Sequence, residues 1–171
     1  MTSILAVLVA LLGLPVSAQD VPLEYRVKAA YLFNFTRFVE WPEDAIAAAA
    51  PLIICVAAPN PFGAALAEMV VGEQALGHAL AVRTVQQAAG CHVLFVPEPV
   101  NAEPLLRDAR AHPVLTVGES PDFLRLGGVI SFVVEDGKVR FEINQEAAQR
   151  SRLRISSRLL RLARPPDRTA K

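Results

Sequence analysis

The sequence is short of the residues and motifs on which most chemistry depends. Its 171 residues hold two cysteines, one tryptophan and three histidines. His78, His92 and His112 stand far apart with no neighbour at metal-ligand spacing, so a metal centre is not expected. A C-x-x-C pair is missing, which excludes a thioredoxin-type redox couple. Gly-x-Gly-x-x-Gly, Gly-x-Ser-x-Gly and Walker-type loops are missing too, which removes the dinucleotide, α/β-hydrolase and nucleoside-triphosphate mechanisms and leaves no cofactor motif. The expectation is therefore a binding protein and not an enzyme. Nucleic acid is not an expected partner either, because the chain has no net charge and its basic residues lack interleaved aromatics.

Long apolar runs are equally scarce. Ile4 to Val16 forms one, and it is followed by Val16-Ser17-Ala18, a small-residue cleavage pattern, so residues 1–18 read as a secretory signal peptide and Gln19 as the mature start. At about 13 residues this run is too short to cross a bilayer, where roughly 20 are needed. With no second such run, stable membrane insertion is not expected. The remainder, about 150 residues, fits one core. Residues 19–164 are expected to form a single domain, and 165–171 a disordered tail. In an exported chain the even cysteine count suggests a Cys55–Cys91 disulfide, two buried free thiols being the alternative.

Charge is balanced overall but not along the chain. From Asn144 onward eight basic residues face only Glu146 and Asp167, a net +6, against −6 in the rest. The basic segment reads as a solvated helical face or as a docking patch for an acidic partner.

From Leu23 to Val39 the residues Val27, Tyr31, Leu32, Phe35, Phe38 and Val39 recur at helical spacing, and Trp41-Pro42 stops the helix. Two residues break its pattern. Lys28 falls on the apolar face, where a snorkelling side chain is expected, and Phe33 falls on the polar side near Arg26 and Arg37, as a protein contact would. Pro51 to Ala58 reads as a buried parallel strand. Asn60-Pro61 then marks a helix start, with Asn60 as N-cap and the helix running through Phe62, Leu66 and Met69.

Leu80–Val85, His92–Val96 and Val114–Val117 are further strands, with a helix over 102–111. Val129–Glu135 and Lys138–Ile143 flank Asp136-Gly137, a hairpin signal. The tail from Glu146 to Ala163 is helical in composition with a break near Ser151. It places Leu153, Leu159, Leu160 and Ala163 on one face and Arg154, Arg158 and Arg161 on the other. This order predicts an α/β three-layer sandwich, its mainly parallel sheet ending in an antiparallel hairpin. In such a fold ligands enter at strand ends, and the loops there carry Asn60 and Glu119, the candidate crevice residues.

Three stretches together resemble the YfiR family of bacterial periplasmic proteins: Tyr25–Pro42 (YRVKAAYLFNFTRFVEWP), Gly127–Asn144 (GGVISFVVEDGKVRFEIN) and Leu153–Ala163 (LRISSRLLRLA). The resemblance spans nearly all of the chain after the leader. It implies an α/β sandwich, a tendency to form homodimers, and a periplasmic role in repressing the sensor domain of an inner-membrane diguanylate cyclase or related signalling protein, which lowers cyclic-di-GMP signalling and biofilm formation. A strand-to-strand cysteine pair of the family matches Cys55 and Cys91, whereas a second pair found in some members has no counterpart. A glycine common before the last motif is replaced around Ser151 and Arg152. Because aromatic and arginine side chains dominate contact energy at interfaces, the expected partner contacts are Phe33, Arg37 and Trp41, then Arg154, Arg158 and Arg161. The alternative is a periplasmic small-molecule sensor using the crevice near Asn60 and Glu119.

Overall fold

A computed structural model describes residues 20–165. The expected leader, 1–18, and all but the first residue of the expected tail, 165–171, lie outside the described residues. Helix α1 (Leu23–Phe38) leads directly into a two-residue strand, β1 (Val39–Glu40). Then follow β2 (Leu52–Ala57), α2 (Ala65–Val70), β3 (Gln74–Ala75), β4 (His78–Val85), β5 (Val93–Val96), α3 (Ala102–Ala109), β6 (Leu115–Gly118), β7 (Ile130–Glu135) and β8 (Lys138–Ile143). The chain ends in α4 (Gln145–Arg150), β9 (Arg154–Ile155) and α5 (Ser157–Leu162).

Seven strands form one sheet in the order β3-β4-β2-β5-β6-β7-β8. Its five central members, β4 to β7 in that order, are parallel, while β3 and β8 pair antiparallel at the two edges. The sandwich expected from the sequence is thus present. The run Leu52–Ala57 is buried throughout because both faces of the sheet are covered. Its alternate residues divide between two cores: Leu52, Ile54 and Val56 face α1, α2 and the C-terminal helices, and Ile53, Cys55 and Ala57 face α3. Cys55 is bonded to Cys91 in the second core, across 36 residues and with Cα atoms 5.7 Å apart. At the β7–β8 turn, Asp136 and Gly137 both take positive φ, 50° and 71°, the geometry that the Asp-Gly signal predicts.

Three local expectations are corrected. Asn60 does not cap a helix: its Oδ1 accepts from Phe62 N at 2.9 Å in a side-chain turn, Gly63 follows at φ 53°, and α2 starts only at Ala65. A left-handed residue ends any helix begun before it.

The basic tail does not form a single helical ridge. Arg154 lies on β9, which pairs antiparallel with β1 through Val39↔Ile155 and Glu40↔Arg154. Ser156 Oγ accepts from Leu159 N at 3.2 Å and opens α5 as a new helix. Upstream, α4 closes with Leu153 N donating to Ala148 O and Arg152 N to Gln149 O, both at 2.9 Å. This closure needs a left-handed residue, usually glycine. Arg152 fills it at φ 57°.

Lys28, the third correction, does not snorkel. It is 3% exposed and forms the centre of the site described next.

Candidate functional site

Parallel strands open at their C-terminal ends, and here β6 ends in Gly118 followed by Glu119. Gly118 is required by space. A Cβ there would meet the Phe123 ring at 2.3 Å, and one on Gly128 would meet it at 2.2 Å, so Phe123 is wedged between the two glycines. The loop this wedge fixes holds Glu119 below the first turns of α1.

Lys28 comes down from α1 and forms ion pairs with Glu119 and with Glu24, one turn earlier on its own helix. The side chains of Lys28 and Glu119 are only 3% and 6% exposed. Tyr25, also on α1, donates its hydroxyl to Glu119 Oε1 at 3.0 Å, and the backbone N–H of Glu98 donates to the same oxygen at 3.0 Å. Both carboxylate oxygens are therefore engaged by the protein, as a buried charge requires. The Lys28 ammonium also lies 4.7 Å from the Tyr25 ring centroid, a favourable cation–π distance. Burial first, then the negative charge and hydrogen bond of Glu119, push the Tyr25 hydroxyl well above its ordinary ionisation range. It remains a donor at any physiological pH.

A cavity of about 330 Å³ remains beside this cluster, bordered by Glu24, Glu98 and Glu119 together with Val133 and Val134 of β7. Asn60 does not border it and turns its amide to Gly63 O at 3.2 Å. Tyr25 links the two loops, with its ring edge-on to Phe62 at 5.6 Å. The arrangement anchors the start of α1 to the sheet. The Glu119 carboxylate accepts from three donors of the protein itself: Lys28, Tyr25 and the Glu98 N–H.

The expected contact residues occupy the other end of α1. Phe33 lies half-buried beneath the Arg37 guanidinium, 4.2 Å from the ring centroid, and Arg37 pairs with Glu73 at 2.9 Å. Arg158 covers the Phe38 ring at 5.4 Å, and Arg154 pairs with Glu40 at 3.6 Å across β1–β9. The β1–β9 pairing thus joins the end of α1 to the basic segment. Arg161 is exposed. Trp41 is half-buried, and its Nε1 has no hydrogen-bond partner among the described residues.

Two of the three histidines bind backbone through their rings. His92 Nδ1 accepts from Ile53 N at 2.9 Å and its Nε2 meets Ala45 O at 3.3 Å, while His78 Nδ1 meets Ala50 O at 2.8 Å. Among the described residues no group of three or more His, Cys, Asp or Glu is placed to hold a metal. No described helix is long and apolar enough to cross a membrane.

Sequence reasoning missed the Lys28 pair because Glu119 is 91 positions away. Glu24, four residues before Lys28, was the one local signal. It also missed β9, whose two residues are too few to show a period.

The sheet order, the two cores and the pinned first helix define a mixed α/β sandwich domain. The chain belongs to the YfiR/HmsC-like family, whose model matches residues 25–164. Among solved structures, a conserved domain protein from Vibrio cholerae O1 biovar El Tor is similar at 15% identity and a TM-score of 0.46, over 68% of this chain. The chain spans 55% of the length of that structure.

Proposed function

We propose that this chain is an exported, periplasmic regulator that binds the sensor domain of an inner-membrane diguanylate cyclase, or of a related signalling protein, and represses it, lowering cyclic-di-GMP signalling. The observation that carries this reading is the family match from Tyr25 to Arg164, which takes in almost every described element from α1 to α5. Support comes from the Cys55–Cys91 bond, which suits an oxidising compartment, and from the apolar leader with its cleavage pattern over 1–18.

For the contact surface we take the C-terminal end of α1 with the segment paired to it: Phe33, Arg37 and Trp41, then Arg154, Arg158 and Arg161. Their ion pairs are solvent-exposed and so contribute little to stability, about 0–1 kcal/mol each, which leaves the guanidinium groups available to a partner. A homodimer is part of the proposal as well. The crevice reading, with Asn60 and Glu119 as ligand contacts, has less support, because both side chains are already committed within the protein.

Affinity capture from detergent-solubilised inner membranes tests the proposal. Wild-type chain retains a cyclase or kinase with a periplasmic sensor domain, and the Phe33→Ala, Arg37→Ala double variant loses it while keeping its circular dichroism. Retention of no inner-membrane protein by the wild type overturns the reading. Equal retention by the variant moves the contact surface elsewhere.

A further inference from the structure

Apart from the charged anchor of α1, one concavity is lined by three arginines. They come from three separate segments: Arg110 from the residue that caps α3, Arg125 from the loop between β6 and β7, and Arg150 from the last turn of α4. Between them is a cavity of about 570 Å³, with Leu126 and Ala147 as apolar wall and Ser151 at its border. That volume lies within the roughly 300–1,000 Å³ of small-molecule sites, which likewise combine apolar walls with a few convergent polar groups.

The local ion pairs do not neutralise this cluster. Arg125 pairs with Asp122 at 3.0 Å and Arg150 with Glu146 at 3.7 Å, and both pairs are solvent-exposed links within one turn of chain. Such pairs are weak and exchange readily. Neither Asp122 nor Glu146 borders the cavity. Arg110 has no carboxylate partner among the described residues, and its Nη2 is instead fixed by donation to Leu126 O at 3.1 Å, leaving the rest of its fork free.

Compensation of helix dipoles accounts for a basic residue at the end of α3 and at the end of α4. It does not account for Arg125, which sits outside any helix and faces the same space. Three planar, permanently charged forks around a partly apolar cavity match an oxyanion head on an apolar body, since guanidinium engages carboxylate and phosphate in bidentate fashion.

We propose that this cavity is a binding site for a small organic anion bearing a phosphate or carboxylate head. The site needs no partner protein and stands independently of the repressor reading. Isothermal titration and thermal shift of the purified chain, with phenyl phosphate, phthalate and inorganic phosphate against chloride at matched ionic strength, test it. Phenyl phosphate or phthalate binds at one site per chain, and Arg110→Gln and Arg125→Gln each weaken it about tenfold or more. Arg83→Gln, an exposed arginine on β4, leaves it unchanged.

Preference for phenyl phosphate assigns a phosphate ligand, and preference for phthalate a carboxylate one. Inorganic phosphate binding as well as either removes the apolar body from the assignment and overturns that part. No binding up to about 10 mM, or equal weakening by Arg83→Gln, overturns the site. Because all three arginines are solvent-exposed, their glutamine variants keep the fold, which circular dichroism checks.

Discussion

On the face of the sheet that carries α1, five phenylalanines are buried: Phe35 on the helix, Phe95, Phe132 and Phe141 on strands, and Phe62 in the loop before α2. Phe35 stacks on Phe132 at 5.9 Å and meets Phe141 edge-on at 5.2 Å, and Tyr31 joins the same group. The opposite face, under α3, has one buried aromatic, Phe123, among small residues such as Ala57, Ala88, Ala102 and Ala109, and it holds the Cys55–Cys91 bond. Aromatic side chains remove the most apolar area from water and interlock at preferred angles. Alanines bury little area each. The thinner face is the one that carries a covalent link, which restricts the unfolded chain where burial contributes least.

That contrast can be broken from either side. The largest effect is expected from Phe35→Ala, which opens a cavity in the aromatic face and costs about 3–5 kcal/mol in urea unfolding; a loss under about 1 kcal/mol would show that the face repacks and is not an interlocked unit. Next comes the Cys55→Ala, Cys91→Ala pair. Closing a loop of 36 residues corresponds to roughly 4 kcal/mol in the chain-entropy description. A calorimetric loss comparable to that from Phe35→Ala is the expected result, and a negligible one would mean that α3 packing alone secures its face.

The smallest effect concerns the seam between the faces, where His92 ties Ile53 of one core to Ala45 beside the other. Its Nδ1 must stay unprotonated to accept from Ile53. Burial first, with the nearby His78 charge adding to it against the hydrogen bond to Ala45, lowers its ionisation below the ordinary 6.5. The unfolded chain then takes up a proton that the folded chain resists. Stability is accordingly complete above pH 6.5 and declines as pH falls from there toward the lower folded value. Melting curves across this range should fall less steeply for His92→Asn, whose side-chain oxygen can accept the same bond without titrating. Parallel curves would remove His92 from the acid response.

The strands and the hairpin were legible because continuous apolar runs bounded by Pro and by Asp-Gly have few alternatives. Elements set by distant partners were not. Lys28 looked like a misplaced surface residue until folding brought Glu119 beneath it. Asn60 followed by proline carries a helix-start signal, yet Gly63 three residues later cancels it, a conflict that propensity alone does not resolve. Arg154 shared a helical period with Arg158 and Arg161, but the left-handed turn at Arg152 and the Ser156 cap shift it onto a strand. Of the proposed contact residues, composition could pick out aromatics and arginines. It could not show that two groups so far apart in sequence adjoin, nor that Arg110, Arg125 and Arg150 border one cavity.

The pairing of β1 with β9 joins the first part of the chain to nearly its last. Such a contact closes a long loop, and the entropy of closing it must be offset by the packing of the intervening chain. The end of α1 is therefore finished by residues more than a hundred positions away in sequence. Without the C-terminal segment, Val39 loses its Ile155 partner and the Phe38 ring its Arg158 cover. The surface proposed for partner binding is thus complete only when the C-terminal segment is paired with β1.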